Sequence, residues 1–372
     1  MKPRNDPPHF IINTIPYNRK KVLIIAELGT SHGADPIKAK ELIDAAAKAG
    51  ADGIKFQIVY ADEILHPNTG EVTLPGGKIR LYDRFKQLET SPDFYAELKE
   101  YVESRGLLFL ATPFGLRSAR ELRALHPQIL KVASPELNYT ALLGELASYR
   151  IPMMLSTGVS KLADIEAALD ITGHDQVCLL HCVTSYPAPE RDYNLRVLPN
   201  LGVLFGVSMG ISDHSPDPEL VPALAVAMGA AVIEKHFCLS RNDPGLDDPI
   251  ALPPAEFFRM TGTIRRASSM ETGDIADALS KERGSEIVEA ILGDGVKRLA
   301  PSEAANYEKT NRSIHAVHDI PRGKIIHPGD LAILRTEKIL RPGLSPSWEP
   351  QLYGRKALNF IPAGQGVRFE DI

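Results

Sequence analysis

Two stretches of this chain follow apolar runs with residue types that bind divalent cations. "GISDHSPD" carries His214 just after one run, and "AVIEKHF" carries His236 at the end of the next. Two histidines alone would under-fill a structural zinc site, which normally has a closed set of ligands. An open site, with room for water and a substrate oxygen, is suited to polarising a carbonyl group. We therefore predict that His214 and His236 bind one divalent cation together.

Lysines, hydroxyl residues and carboxylates mark the ends of the other apolar runs. Amino and hydroxyl groups suit an anion with phosphate and carboxylate groups, and the set is Lys55, Lys131, Ser134, Ser156 and Ser212. Glu27 and Glu234 are candidates for moving protons or for binding substrate hydroxyls. A single residue of this kind is as readily explained by a structural ion pair. Because buried charges are costly without a partner, their convergence on so many run ends predicts a polar ligand.

The elements that must position these residues alternate along the chain. Eight apolar runs, predicted as strands, occupy 22–27, 53–57, 107–111, 129–133, 152–156, 177–181, 205–212 and 231–236. Their continuous hydrophobicity is typical of parallel strands buried on both faces. Segments with helical periodicity lie between and after them, at 35–50, 92–105, 116–126, 138–149, 160–172, 217–229 and 254–271, with a less regular segment at 188–202.

This alternation predicts an α/β fold, a (β/α)₈ TIM barrel whose catalytic groups gather at the C-terminal ends of the strands. An open doubly wound sheet is the alternative, but no G-x-G-x-x-G follows the first run. Side chains alternate along a strand, so Ser212 and His214 should share one face and Asp213 should lie on the other. Asp213 is expected to orient a ligand or to form an ion pair in the barrel wall.

The amino-acid composition bears on which partners the protein binds and in which cellular compartment it works. The net charge of −5, from 42 basic and 47 acidic residues, gives no electrostatic footprint for nucleic acid. No apolar run approaches the roughly 18 residues of a membrane span, so no membrane partner is expected. Only Cys178, Cys182 and Cys238 are present, which favours a reducing cytoplasm over a disulfide framework. We interpret them as small apolar residues rather than metal ligands.

The ordered motifs resemble those of one known family. "IIAELGTSHGAD", "ATPF", "KVASPEL", "LSTG", "HCVTSYPAP", "GISDHS" and "AVIEKHF" are similar, in this order, to motifs of the sialic acid synthase (NeuB) family. The resemblance covers 21–372. With the strand pattern, it implies an N-terminal arm (1–20), a TIM-barrel catalytic domain (21–282), a linker (283–312) and a small β-rich antifreeze-like (SAF) domain (313–372).

The resemblance implies that phosphoenolpyruvate (PEP) condenses with the open-chain aldehyde of a 2-acylamino sugar, giving a nonulosonic acid and phosphate. It implies Mn²⁺ or Mg²⁺ at His214 and His236, and a catalytic carboxylate at Glu27. The positions that match PEP contacts are Lys55, Gln57, Thr112, Lys131, Ser134, Ser156, Thr184 and Ser212. Lys55, Lys131 and Glu234 are also assigned to catalysis, and the sugar side matches Tyr186, Glu234 and Asp247.

Three features depart from the family pattern. Thr184 stands where bacterial sialic acid synthases often have Asn, and the usual Gly-Pro-Asp after the eighth strand appears here as "GLDD", Gly245 to Asp248, which includes Asp247. The insert 66–85 is expected to form a lid or a sugar pocket over the barrel mouth. The acceptor sugar therefore cannot be named from the sequence.

For the C-terminal quarter, the resemblance implies a domain-swapped homodimer in which the SAF domain caps the partner's barrel. Arg312, in "NRSIHA", matches an arginine that contacts the acyl group of the sugar, so Arg312 is expected to recognise the sugar in trans.

Two rival functions remain open. One is another PEP-condensing enzyme or a class I aldolase, with Lys131 or Lys55 forming a Schiff base. The other is a non-catalytic sugar-binding protein, although a pure binder has no need of an open metal site beside Glu27 and two lysines.

Overall fold

The computed structural model describes residues 9–74 and 77–372, and its centre is a sheet of eight parallel strands. In chain order the strands are β1 Phe10–Ile12, β2 Ile15–Tyr17, β3 Leu23–Gly29, β4 Gly53–Ile58, β5 Glu71–Leu74, β6 Gly77–Arg80, β7 Leu108–Pro113, β8 Leu130–Val132, β9 Met153–Ser156, β10 Val177–Cys182, β11 Ser208–Asp213, β12 Val232–His236, β13 Ser313–Ala316 and β14 Leu331–Leu334.

The α-helices surround the sheet and extend past it. They are α1 Pro36–Lys48, α2 Ala61–Ile64, α3 Leu81–Leu88, α4 Pro92–Ser104, α5 Leu116–Ala124, α6 Thr140–Ser148, α7 Leu162–Thr172, α8 Val197–Phe205, α9 Leu220–Ala227, α10 Pro254–Ser269, α11 Thr272–Arg283, α12 Ser285–Leu292 and α13 Glu349–Leu352. Helix α1 shows why they form: Asp35 accepts a hydrogen bond from the Ile37 amide as a cap, Pro36 occupies the first turn, and one stripe is buried.

The eight strands form a nearly closed barrel, as predicted. Their hydrogen-bonded order is β7-β4-β3-β12-β11-β10-β9-β8, so the two end strands follow one another in the chain. The seventh barrel strand begins at Ser208 rather than at 205, because α8 continues to Phe205 and Gly206 ends it in the left-handed conformation (φ 65°). The less regular segment at 188–202 thus contains only the start of a short helix, which runs from Val197 to Phe205.

Side-chain alternation divides the strand residues between two apolar layers. On β3, Ile24 and Ala26 pack in the cluster that includes the surrounding helices, whereas Leu23 and Ile25 belong to a separate cluster inside the barrel. Every residue of β3 is therefore buried. This explains the continuous hydrophobicity of the barrel strands, since both faces of each strand lie against apolar neighbours.

The N-terminal arm plugs the bottom of the barrel. Residues 1–8 lie outside the described part, but β1 and β2 form an antiparallel hairpin that pairs Phe10 with Tyr17. Phe10, Ile12 and Tyr17 are buried in the cluster inside the barrel. The arm therefore completes the apolar core at the end of the barrel where the chain enters each strand.

The C-terminal region begins with α11 and α12, and after an irregular linker it ends in a small separate core. There β13 pairs antiparallel with β14, and single bridges join His315 to Gly366 and Ile320 to Ile361. Within the described residues the predicted β-rich domain thus has one regular strand pair. Its Pro-Arg-Gly and Pro-Ala-Gly turns interrupt the ladders, because proline lacks a backbone N–H.

No helix among residues 9–74 and 77–372 combines the length and the apolar character needed to cross a membrane.

Replacing Phe10 by Ala should destabilise the protein by about 3–5 kcal/mol, because a buried aromatic side chain is lost from the barrel plug. Urea unfolding of the variant measures this change. Ile11→Ala is the matched control, since Ile11 lies on the opposite, exposed face of the same strand, and it should change stability by less than about 0.5 kcal/mol. Equal effects at both positions would contradict the packing described here.

Candidate active site at the C-terminal ends of the strands

The inward face of the barrel changes from apolar to polar toward the C-terminal ends of its strands. On β9, Met154 belongs to the inner apolar cluster, and Ser156 follows at the next inward position. On β12, Val232 is followed in the same way by Glu234. The same change brings Glu27, Lys55, Thr112 and Lys131 into one buried layer. Several strand ends thus converge on a single polar site.

Lys55 is the centre of one half of this layer. Its Nζ lies 2.9 Å from Glu27 Oε2, 3.5 Å from Glu234 Oε1 and 3.3 Å from Thr112 Oγ1. Gln57 donates to the other oxygen of Glu27 at 2.7 Å. Burial disfavours the ammonium, but the negative charges of Glu234 and Glu27 outweigh it and raise the pKa of Lys55 above its ordinary value. Lys55 is therefore a fixed positive charge.

Lys131 lies in the other half and differs in its electrostatics. Its Nζ donates to Ser156 Oγ at 2.7 Å and to the Val132 carbonyl at 2.9 Å, whereas Glu234 Oε1 is 3.9 Å away. Burial lowers the pKa of Lys131 to about 8. Ser212 donates to Glu234 Oε1 at 2.9 Å. Lysine, serines and glutamate thus form one connected network.

The loops after β9 and β10 approach each other closely beside this network. The Gly158 amide donates to Ser134 Oγ at 3.0 Å. A Cβ at Gly158 would lie 2.1 Å from Thr184 Oγ1 and 2.9 Å from Ser134 Oγ, so only glycine fits. Ser134 and Thr184, both assigned to the phosphate from the sequence, are therefore brought to one corner of the site.

His214, His236 and Tyr186 form a group of rings next to this corner, because Cys182 Sγ lies 4.0 Å from Thr184 Oγ1 and 3.8 Å from His214 Nδ1. The ring centroids of the two histidines are 5.4 Å apart, and Tyr186 lies 4.3 Å from His214 and 6.2 Å from His236. Asp247 Oδ2 is 3.8 Å from His236 Nδ1, and it would lie 3.5 Å from a Cβ at Gly29. The structure thus brings together the predicted sugar-side and metal-side residues.

The two histidines have the chemistry of metal ligands. His214 Nδ1 is 2.9 Å from the Val183 carbonyl, which places a proton on Nδ1 and makes Nε2 the nitrogen that would bind a cation. Burial disfavours the imidazolium, but the neighbouring Cys182 outweighs it and raises the pKa of His214 to about 9, so a cation at Nε2 would have to displace a proton. Burial lowers the pKa of His236, so that ring stays neutral. Within residues 9–74 and 77–372, no three His, Cys, Asp or Glu side chains are grouped so as to hold an ion by themselves. The donor set therefore fits an open site, completed by substrate and water.

One cysteine lies closer to this site than the sequence suggested. Cys182 Sγ is 3.8 Å from His214 Nδ1. By contrast, Cys178 belongs to the inner apolar cluster, as expected of a small apolar residue.

Comparison with known proteins assigns the family. The family model described as "NeuB family" matches residues 42–275, and the model described as "SAF domain" matches residues 311–372. The chain belongs to the NeuB family.

Relatives of this NeuB-family protein extend over nearly its whole length. Spore coat polysaccharide biosynthesis protein SpsE of Bacillus subtilis is 33% identical over 358 residues, covering 94% of this chain and 93% of that protein. N,N'-diacetyllegionaminic acid synthase of Legionella pneumophila is 32% identical over 361 residues, covering 94% of each. The crystal structure of SpsE matches with a TM-score of 0.81 at 32% identity, over 98% of this chain and 99% of that one. The protein is thus an enzyme of the synthase type.

Arg312 of this NeuB-family protein is buried inside its own chain. Its guanidinium donates to Glu136 Oε1 at 2.9 Å and to the carbonyls of Glu63, Phe114 and Ile333. Its side chain is 0% exposed. In this chain Arg312 joins the SAF domain to the barrel. That Arg312 recognises the sugar in trans stays a prediction.

A second arginine, which the sequence gave no reason to single out, shares the same carboxylate. Arg335 donates to Glu136 Oε1 from Nη2 at 2.6 Å and from Nε at 3.0 Å, and its guanidinium carbon is 5.3 Å from the centroid of the Phe114 ring. The insert after β4 also contacts this domain, since His66 Nε2 is 3.0 Å from the Val317 carbonyl. The predicted lid role of 66–85 stays a prediction, and residues 75–76 lie outside the described part.

Asp213 forms the ion pair in the barrel wall that strand alternation predicted. Its Oδ2 lies 2.6 Å from Lys235 Nζ, and its Oδ1 accepts hydrogen bonds from the Tyr193 hydroxyl at 2.6 Å and from the Ser215 amide at 2.8 Å. The Tyr193 hydroxyl in turn accepts from the His214 amide at 2.7 Å. Asp213 therefore orients the backbone of His214 without entering the site.

Replacing Lys235 by Met should destabilise the protein by about 3–5 kcal/mol, because Asp213 would be left buried without its countercharge. Denaturant unfolding provides the measurement. Arg298→Met is the matched control: its ion pair with Asp294 is more than half exposed on both side chains, so its loss should have a much smaller effect on stability. A Lys235 effect as small as the control would show that the pair does not hold the strand end.

Proposed function

We propose that this enzyme condenses PEP with the open-chain aldehyde of a 2-acylamino sugar, giving a nonulosonic acid and phosphate. The observation that carries this proposal is one site in which two buried lysines, several hydroxyl groups and two histidines lie together. The lysines and hydroxyls suit an anionic substrate, and the histidines suit a cation that binds the second substrate. Relatives named as legionaminic acid and pseudaminic acid synthases support the same reaction class.

PEP would bind with its phosphate against Lys131, Ser134, Ser156, Thr184 and Ser212. Its carboxylate would lie toward Lys55, Gln57 and Thr112. In the structure Lys131 donates to Ser156 and Lys55 to Thr112, whereas Gln57 donates to Glu27 and Ser212 to Glu234. Two lysines against two glutamates give no excess positive charge, so the several negative charges of PEP call for a further cation.

Mn²⁺ or Mg²⁺ bound by His214 and His236 would supply that charge and would polarise the aldehyde oxygen. Tyr186 lies on the ring of His214, and Asp247 beside His236. Together with Glu234 they would bind the hydroxyls of the sugar. Thr184 in place of Asn still presents a hydroxyl at the phosphate corner, so the departure leaves a donor there.

The chain's own residues would then direct two bond-forming events. Carbon three of PEP attacks the aldehyde carbon, and water adds to the resulting cation at carbon two before phosphate leaves. Glu27, fixed between Lys55 and Gln57, is placed to accept a proton from that water. Lys55 and Lys131 stabilise the negative charge of the carboxylate and phosphate throughout.

The domain-swapped homodimer and the cytoplasmic location stay predictions. In the structure the SAF domain contacts its own barrel, through Arg312 and Arg335 on Glu136.

Phosphate release from PEP tests the proposed reaction. With Mn²⁺ present, a panel of 2-acylamino and 2,4-diacylamino hexoses should include at least one sugar that releases phosphate, and EDTA should abolish the release. Glu27→Gln should lower kcat by about 10²–10⁴-fold, because the group that accepts the proton is lost. No phosphate with any sugar would overturn the proposal, and sugar binding without turnover would favour the non-catalytic sugar-binding protein.

A Schiff-base aldolase is the rival that one observation favours, since the pKa of Lys131 is lowered to about 8 and a lysine of that kind is a better nucleophile. Treatment with borohydride in the presence of substrate separates the two mechanisms. The condensation proposed here leaves both lysines unmodified. A covalent adduct on Lys131 or Lys55 would instead establish the aldolase.

The pH dependence of PEP use should follow Lys131. Its ammonium is charged below a pKa of about 8, so kcat/KM for PEP should fall by about tenfold per pH unit well above that value. In Lys131→Arg the guanidinium stays charged, and the alkaline fall should disappear even if the overall rate is lower. Steady-state rates across the alkaline range provide the check, and an identical fall in both proteins would rule out Lys131 as its source.

A further inference from the structure

The linker between α12 and the SAF domain crosses the corner of the site where the loops after β9 and β10 meet. Four of its side chains bind those loops. Lys297 donates to the Thr157 carbonyl at 3.0 Å, Asn306 to the Thr184 carbonyl at 3.0 Å, and Asn311 to the Val159 carbonyl at 3.1 Å. The fourth is Glu303.

Glu303 holds both loops with a single oxygen atom. Its Oε2 accepts hydrogen bonds from the Val159 amide at 2.9 Å and from the Thr184 amide at 2.8 Å, and its Oε1 accepts from the Ala300 amide at 3.2 Å. The residue is 1% exposed. Hydrogen bonds from backbone amides to a buried carboxylate are among the stronger ones, so this contact fixes the separation of the two loops.

The backbone held by Glu303 is strained. Val159 has a φ of 43°, and for a β-branched residue this left-handed conformation is a genuine outlier. Its amide is bound by Glu303 and its carbonyl by Asn311. The linker therefore maintains a conformation that the loop would not hold by itself, and such strain persists where the surroundings over-determine it.

The strained residue directly follows Gly158, whose amide binds Ser134, and Thr184 is the other residue held by Glu303. Ser134 and Thr184 are both assigned to the phosphate of PEP. The geometry points to Glu303 as a positioning residue that sets the phosphate subsite from outside the barrel. This inference rests on the proposed function, because it names what the loops are positioned to bind.

Glu303→Ala tests the inference. It should raise KM for PEP by roughly tenfold, since charge-assisted hydrogen bonds to both loops are lost, while KM for the sugar changes by less than about twofold. Glu303→Gln should recover most of the PEP affinity, because one amide oxygen can accept both loop N–H groups as Oε2 does. Circular dichroism and thermal unfolding verify that each variant is folded.

Asp192→Ala is the matched control. Asp192, farther along the connection between β10 and α8, also accepts a hydrogen bond from a backbone amide of the linker, that of Ser302 at 3.0 Å, but it binds neither the Val159 amide nor the Thr184 amide that Glu303 holds. It should leave KM for PEP unchanged. If Asp192→Ala and Glu303→Ala raised KM for PEP equally, or if Glu303→Ala raised KM for PEP and sugar alike, Glu303 would only anchor the linker and the inference would fail.

Calorimetric titration of PEP into each protein separates this inference from the proposed reaction. Wild-type protein that binds PEP but releases no phosphate with any sugar would overturn the reaction alone. In that case weaker PEP binding by Glu303→Ala, restored by Glu303→Gln, would still support the positioning role, and equal PEP binding by all three proteins would overturn it.

Discussion

The site depends on placing two lysines and two glutamates in one buried layer of the barrel. Glu27, Lys55, Lys131 and Glu234 are all buried, and each lysine has Glu234 within 4 Å. Removing one of them would leave a buried charge without its partner. The four strand ends that carry these residues must therefore stay in register. The parallel ladder from β12 through β3 to β4 aligns three of them, and β8, which carries Lys131, is joined to β12 through β9, β10 and β11.

The alternation of inward and outward side chains along the barrel strands forms both this buried layer and the packing around it. Side chains at inward positions form the inner apolar cluster and, toward the C-terminal ends of the strands, the polar site. Side chains at outward positions, such as Ile24, pack against the helices. Asp213 and Lys235 use the outward positions of β11 and β12 for an ion pair that orients the backbone of His214. Chemistry and stability are thus assigned to opposite faces of the same strands.

The C-terminal region holds the rim of the site through buried contacts with the barrel. Glu136, after β8, accepts from Arg312 and Arg335 and so fixes the SAF domain beside the barrel mouth. Glu303 binds the loops after β9 and β10 from the linker. Both carboxylates are buried and both receive hydrogen bonds from segments far away in sequence, so the rim of the site is held by long-range contacts.

The sequence by itself determined the barrel, the strand ends and most of the candidate site. Continuous apolar runs of strand length, each followed by a polar residue, allow few other folds, and side-chain alternation separated Asp213 from its neighbours Ser212 and His214. Only the tertiary structure determined which residues far apart in the chain contact one another. Three contacts illustrate this: the ion pairs of Arg312 and Arg335 with Glu136, the contact of Cys182 with His214, and the hydrogen bonds of Glu303 with the loops after β9 and β10. They join residues whose spacing along the chain carries no periodic signal. Local pattern specifies which face a side chain takes, whereas only the folded chain specifies which other segment that face meets.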